Sequence, residues 1–345
     1  MSVSDPVAPL ALTMGEPAGI GGELALRIWC NQRDSVSPFF IIDDPKRLSK
    51  IAHACNLDIC IEQIYTTERA LEIFDYALPV LPVEIPLETN VQSGLPDPAN
   101  VRAVIGSIDQ AVKLARGGLA SAVVTNPIHK GVLKEANFPF ISHTDYLAHI
   151  SGKNNAAQMM IVVDGLRTVP VTVHLPLREV ASHLSIDAIV QAGRAARTSL
   201  QDDFGIKIPC LAVAAFNPHS GEDGTLGREE IDIITPAANT LRNDGLKVIG
   251  PLPADTLFHA EARSQYDAVL CMYHDQALIP AKSLDFYGGV NLTIGLSFVR
   301  TSPDHGTAFD LVGTGAARTD SLIAALRLAA NIAELRGVHD NGKPT

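Results

Sequence analysis

The chain has 345 residues, more than one hydrophobic core usually organises, so two lobes or two domains are expected. With 46% hydrophobic and 19% charged residues it is not a disordered chain, and a net charge of −11 argues against nucleic-acid or anionic-membrane partners, though not against a small anionic substrate. Five cysteines without a C-x-x-C pair indicate reduced thiols, not a disulfide framework; with no signal-like or membrane-length apolar run, a soluble cytoplasmic protein is expected.

In chain order, the first element is the apolar run and glycine turn of "LALTMGEPAGIGGELALRIW", residues 10 to 29. Its outline suggests a nucleotide-binding loop, but the spelling does not. A dinucleotide fingerprint begun at Gly19 and Gly21 meets Leu24 where the third glycine belongs, and a Walker loop begun at Gly15 has Ile20 in sixth place. A tight strand-to-helix turn that needs backbone freedom is the expectation. Strand-like runs follow: "FFIID" from Phe39, "SAVVT" from Ser121, "MMIVVD" from Met159, "TVPVTVH" from Thr168 and "CLAVAAF" from Cys210. "DAVLCMY" from Asp267 and "GVNLTIGLSFV" from Gly289 complete the set. The proline-rich stretch from 78 to 100 reads as a loop or a set of edge excursions.

Helix-period segments lie between these runs. Ile186 to Phe204 is one, and "SLIAALRLAANIAEL" near the C-terminus is another, followed by "GVHDNGKPT" as a loose tail. In "REEIDIITPAANTLRNDG" the residues Ile231, Ile234, Ala238 and Leu241 keep helical spacing, Gly245 supplies the stop, and Pro236 predicts a kink or a shorter helix. Such alternation implies an α/β protein with a largely parallel sheet, whose ligands sit off the carboxyl ends of the strands.

Three of the 11 histidines, His174, His219 and His274, each stand at or just beyond the end of a strand-like run. Imidazoles from different strands can converge on one metal and leave positions open for substrate; hydrogen bonding within loops is the plainer alternative. Asp275 beside His274 suits either a carboxylate that orients the ring or a helix cap. Asp255 and Lys282 lie in the same polar neighbourhood of the sequence. His143 and Thr144 in "ISHTDYL" offer adjacent hydrogen-bonding side chains, with a helix cap as the alternative. Arg300 closes an apolar run, where a guanidinium can fork onto carboxylate or phosphate. "SPDHGTAFDLVGTGAA" (302–317) is a second glycine-rich loop that would let a flat phosphorylated ligand approach the backbone.

Taken together, "GEPAGIGGE", "VVTNPIHK", "SHTDYL", "VTVHLPL", "FNPHSGE", "GPLPADTLF", "MYHDQALIP" and "VNLTIGLSFVRTSPDHGTAFD" resemble the 4-hydroxythreonine-4-phosphate dehydrogenase family over nearly the whole chain. One departure is Gly21-Gly22-Glu23, where relatives usually carry proline before the glutamate; it removes a preset φ but no side-chain chemistry. The resemblance implies a two-lobed α/β/α isocitrate/isopropylmalate dehydrogenase-like fold with the active-site cleft between the lobes, and not a Rossmann GxGxxG domain. On this basis the boundaries are placed at 1–126 plus 276–345 for a discontinuous NAD-binding lobe and 127–275 for a metal-binding and dimerisation lobe. It further implies a homodimer whose sites are shared between subunits.

Residue by residue, the resemblance makes His174, His219 and His274 the metal ligands and His143, Thr144, Lys282, Asn291 and Arg300 substrate-binding. Asp304, His305, Gly306, Thr307 and Asp310 become cofactor contacts for NAD or NADP, with a helix cap the alternative for Asp310. Three imidazoles favour zinc, with cobalt or magnesium as other divalent choices. The implied reaction is oxidation of the C3 hydroxyl of 4-phosphohydroxy-L-threonine, with Lys282 or Asp255 taking the proton. The resulting 3-oxo acid decarboxylates to 3-amino-2-oxopropyl phosphate in vitamin B6 biosynthesis. The alternatives are a paralogous dehydrogenase of a phosphorylated threonate or an aromatic cis-diol, a three-histidine metallohydrolase, and a non-catalytic scaffold.

Overall fold

The computed structural model describes residues 7–140, 143–152 and 157–340. Among them the strands are β1 (Leu10–Thr13), β2 (Phe39–Asp43), β3 (Ile61–Gln63), β4 (Leu78–Pro82), β5 (Val123–Val124), β6 (Gln158–Val163), β7 (Leu166–Pro170), β8 (Cys210–Ala214), β9 (Lys247–Leu252), β10 (Ala268–Cys271), β11 (Val290–Ile294) and β12 (Arg300–Pro303). The chain divides into two compact units, residues 1–154 with 296–334 and residues 155–295 with 335–345. Both breaks fall later in the chain than 126 and 275, so the 127–154 stretch belongs with the first unit and 276–295 with the second. Among the described residues no helix is long and apolar enough to cross a membrane.

In the first unit the strand order is β3-β4-β2-β1-β5-β12, and every pairing is parallel. β1 and β2 are buried at every position, which is why they read as unbroken apolar runs instead of alternating ones. The order changes direction at β1, which has β2 on one side and β5 on the other. In open α/β sheets ligands bind off the carboxyl ends of the strands near such a reversal. Three loops leave there: residues 14–20 after β1, 125–129 after β5 and 304–308 after β12.

Two readings of this unit need correction. The stretch "LPVLP" is not a loop or an edge excursion but β4, an inner strand paired on both sides. Its prolines are tolerated because Pro79 precedes the first residue paired with β2 and Pro82 lies beyond the last residue paired with β3. The run from Gly289 is likewise two strands, β11 and β12, broken at Gly295 with φ +85° and assigned to different units. Arg300 therefore opens a strand and does not close one.

In the second unit the order is β11-β6-β7-β10-β8-β9, parallel except for the β11/β6 and β6/β7 pairs. The antiparallel element is a hairpin whose two-residue turn, Asp164–Gly165, uses glycine at φ +71°. The helix Ile186–Asp202 starts on Ser185, whose hydroxyl accepts from the Ala188 N–H at 3.2 Å. The interruption expected at Pro236 is a π-helical turn, Glu230–Ile234, with the proline at the start of the helix Thr235–Asn243. The supposed tail is helical as far as Asp340, within the helix Asp320–Asp340, while residues 341–345 lie outside the described residues.

Candidate active site

The glycine turn after β1 owes its composition to close backbone packing. A Cβ on Gly15, at φ +69°, would lie 2.6 Å from Asn126 Cβ and 2.8 Å from the Pro127 carbonyl oxygen. One on Gly21 would lie 2.8 Å from Asn126 Cγ, and one on Gly19 would lie 2.9 Å from the Thr307 carbonyl oxygen. Backbone bonds join the same loops: Glu16 N–H donates to Pro127 O at 2.8 Å and Ile20 N–H to Thr307 O at 3.1 Å. The turn thus seats three strand-end loops on one another, and of its glycines Gly15 needs the backbone freedom expected of a tight strand-to-helix turn.

Behind that seat, Arg300 at the start of β12 is 3% exposed. Its Nε and Nη2 donate to Thr125 Oγ1 at 3.1 and 2.6 Å, and Nη2 also donates to His143 Nδ1 at 3.3 Å. Burial pushes the guanidinium pKa down to about 9, still on the charged side at neutral pH. Burial, and then the charges of Arg300 and Lys130, hold the His143 imidazole well below its ordinary value, so it is neutral. A guanidinium only donates, so Nδ1 is the acceptor and Nε2 carries the proton. That Nε2–H is buried and has no partner among the described residues. A cation and an unused donor side by side suit an anion. Thr144 follows His143 in the helix His143–Ile150, half-buried, while Ser142 just ahead lies outside the described residues.

The 304–310 loop presents a different surface. His305 Nδ1 donates to its neighbour's carbonyl, Gly306 O, at 3.0 Å, which leaves Nε2 as a buried acceptor without a partner among the described residues. Burial lowers its pKa, the Gly306 bond and Asp304 opposing. Gly306 is exposed with nothing within 4 Å of where a side chain would stand, so a ligand can approach its backbone. Thr307 is tied to Ile20 as above, Asp304 N–H donates to Ser321 Oγ at 2.9 Å, and Asp310 is exposed in the turn Phe309–Leu311. These features are compatible with a nucleotide laid along the loop.

In the second unit the strand-end histidines are partly collected. The His174 and His274 rings stand 5.9 Å apart between centroids. His274 opens the helix His274–Leu284, and its Nδ1 donates to Asp275 Oδ1 at 2.7 Å, so Nε2 is the ring nitrogen that a divalent metal would take. That contact fits a carboxylate that orients the ring, and the helix cap position belongs to Tyr273. His174 lies four residues past β7 at φ +54°, and His219 opens a left-handed stretch in which residues 219 to 224 all have positive φ. Non-glycine residues pay for that conformation, and at a functional site it persists only where neighbours enforce it. Here buried Glu230 accepts from the Phe216 and Asn217 N–H groups at 2.8 and 2.7 Å and from Asn217 Nδ2 at 2.9 Å.

His219 and His174 are both exposed, and among the described residues no three His, Cys, Asp or Glu side chains gather closely enough to hold a metal. The donor chemistry of His174 and His274 fits a divalent metal; a complete set needs His219 or a further donor brought to them. Lys282 lies in the His274–Leu284 helix with Nζ 5.5 Å from the Phe286 ring centre, and Asp255 is exposed in the turn Ala254–Thr256. Asn291 sits on β11 with a buried Oδ1 that has no partner among the described residues.

Thr125, Glu230 and Asn126, which is fully buried with its Nδ2 donating to Thr13 O at 3.0 Å, were not singled out from sequence. For Thr125 and Asn126 the only local signal is position at the end of an apolar run, and Glu230 carries none.

Parallel strands with polar groups gathered at their carboxyl ends make this an α/β protein of the kind that binds and turns over small metabolites. The particular family comes from comparison. Residues 35–329 match the family described as Pyridoxal phosphate biosynthetic protein PdxA, and the chain belongs to it. A 4-hydroxythreonine-4-phosphate dehydrogenase of Caulobacter vibrioides is 48% identical over 335 residues, which cover 96% of this chain and 99% of that one. The crystal structure of 4-hydroxythreonine-4-phosphate dehydrogenase from Klebsiella pneumoniae is 34% identical with a TM-score of 0.85, covering 94% and 99% of the two chains. A terephthalate 1,2-cis-dihydrodiol dehydrogenase of Burkholderia xenovorans is more distant, 29% identical with a TM-score of 0.64, covering 94% and 98%. The family is one of oxidoreductases.

Proposed function

We propose that the protein oxidises the C3 hydroxyl of 4-phosphohydroxy-L-threonine with NAD or NADP and a divalent metal, as a step toward pyridoxal 5'-phosphate. The observation that carries this is the buried Arg300 guanidinium beside the unused Nε2–H of His143, an anchor for an anionic group, in a chain 48% identical to a relative with that name.

When bound, the metal supplies Lewis acidity at the hydroxyl and the nicotinamide accepts hydride. The protein's own residues do the rest. Arg300, His143 and Thr144 hold the phosphate end, and Lys282 and Asn291 bind the other polar groups of the substrate. Lys282 or Asp255 takes the hydroxyl proton as hydride leaves C3, giving a 3-oxo acid and reduced nicotinamide. Carbon dioxide is then lost from that acid, its bonding electrons passing to the ketone as an enolate that is protonated to 3-amino-2-oxopropyl phosphate. His174, His219 and His274 are the residues that would hold the metal, zinc by donor type, with a second copy of the chain completing the set in a homodimer. Asp304, His305, Gly306, Thr307 and Asp310 are the cofactor contacts, in a cytoplasmic enzyme.

The test is product identification with phosphohydroxythreonine, each nicotinamide dinucleotide and a metal series. Formation of 3-amino-2-oxopropyl phosphate and reduced nicotinamide supports the reading. No turnover of it, with turnover of an aromatic cis-dihydrodiol dicarboxylate, replaces the substrate. Near-normal metal content and rate in His219→Ala removes that ligand.

A further inference from the structure

We propose that Thr125 is a positioning residue, setting the Arg300 guanidinium in place for the phosphate of the substrate before the substrate arrives; this rests on the reading that Arg300 holds that phosphate. Three observations lead there. Thr125 is fully buried and its main chain is fixed, because its N–H donates to Thr301 O at 3.0 Å where β5 and β12 run side by side. Its single hydroxyl oxygen accepts from two nitrogens of the same guanidinium, Nε and Nη2, so it fixes both the plane and the rotation of the group. The second hydrogen on Nη2 goes to His143 Nδ1, which forces the imidazole proton onto Nε2. Thr125 thus sets the direction of Arg300 and, through it, the tautomer of His143.

The physical gain is preorganisation. An unrestrained arginine carries several rotatable bonds, and freezing them on binding would be charged against ligand affinity. Here they are already frozen by a contact 175 residues away in sequence, from a side chain that never needs to reach the ligand. Valine at this position keeps the shape and removes the acceptor, whereas serine keeps the acceptor and removes a methyl group.

The experiment compares Thr125→Val and Thr125→Ser with the parent enzyme. Four readouts are taken: KM and kcat for the phosphorylated substrate, kcat/KM for the unphosphorylated amino acid, Kd for NAD, and inhibition by inorganic phosphate. Thr125→Val is expected to raise KM and the phosphate inhibition constant together by roughly tenfold, about one charge-assisted hydrogen bond. The unphosphorylated substrate and NAD should be unaffected, and Thr125→Ser should restore phosphate affinity. Unchanged phosphate affinity in Thr125→Val overturns the proposal. So does an equal loss for the unphosphorylated substrate and for NAD, which would mark a general packing role. If Arg300→Ala itself leaves phosphate affinity unchanged, the reading of Arg300 fails, and that outcome is separately visible.

Discussion

Replacing Gly15 by alanine should destabilise the first unit well beyond the cost of its backbone angle. At φ +69° an L side chain costs about 1–2 kcal/mol. The added Cβ also meets Asn126 Cβ at 2.6 Å and Pro127 O at 2.8 Å, a side-chain root and a backbone atom, neither of which can swing aside. Asn126 is further held by its bonds to Thr13, so overpacking adds about 1–3 kcal/mol. Against this, alanine lowers the entropy of the unfolded chain by about 0.4–1 kcal/mol, leaving a net loss of about 1–5 kcal/mol. Gly118 is the control. It has φ +72° with nothing within 4 Å, so Gly118→Ala should cost only about 1 kcal/mol. Urea unfolding of the two variants, followed by a probe in the first unit, measures the difference. Equal losses would refute the argument that loop-on-loop packing selects glycine at position 15.

Three further outcomes are expected. His143 has a folded pKa below its ordinary 6.5, so the unfolded chain takes up a proton that the folded chain refuses. Stability is therefore full at and above neutral pH and falls as pH drops below 6.5, by at most about 1.4 kcal/mol per pH unit. His143→Gln should flatten that slope in urea titrations, His305 contributing a remainder of the same sign, and an unaltered slope would count against the buried neutral imidazole. Asp275→Asn should weaken metal binding by about 10- to 100-fold while the fold persists, read by metal content after dialysis against graded chelator. Asp223→Gly, in the left-handed stretch at φ +54°, should stabilise the second unit by about 0.5–1 kcal/mol, because strain is relieved at a smaller entropic cost; a lower thermal midpoint would contradict it.

Much of the architecture was legible because its signals are local. Fully buried parallel strands such as β2 announce themselves as apolar runs, and Ser185 marks its helix start with a side-chain oxygen. β4 reads as a loop because proline is a local breaker, and only the register shows that each proline is paired on one side alone, Pro79 with β3 and Pro82 with β2. The left-handed turn at His219 has no local signal, and the buried Glu230 that holds the Phe216 and Asn217 N–H groups just ahead of it sits 11 residues further along the chain.

The sequence by itself determined the α/β class, the family and the chemistry-bearing residue types, since these depend on composition, short-range periodicity and motifs in order along the chain. Only the tertiary structure decided which of those residues meet. Arg300 reaches His143 across 157 residues and Thr125 across 175, and the His174 ring stands 5.9 Å from that of His274, with no third such donor gathered to them among the described residues. Strand order sets those meetings, and strand order is a long-range property that no local pattern encodes.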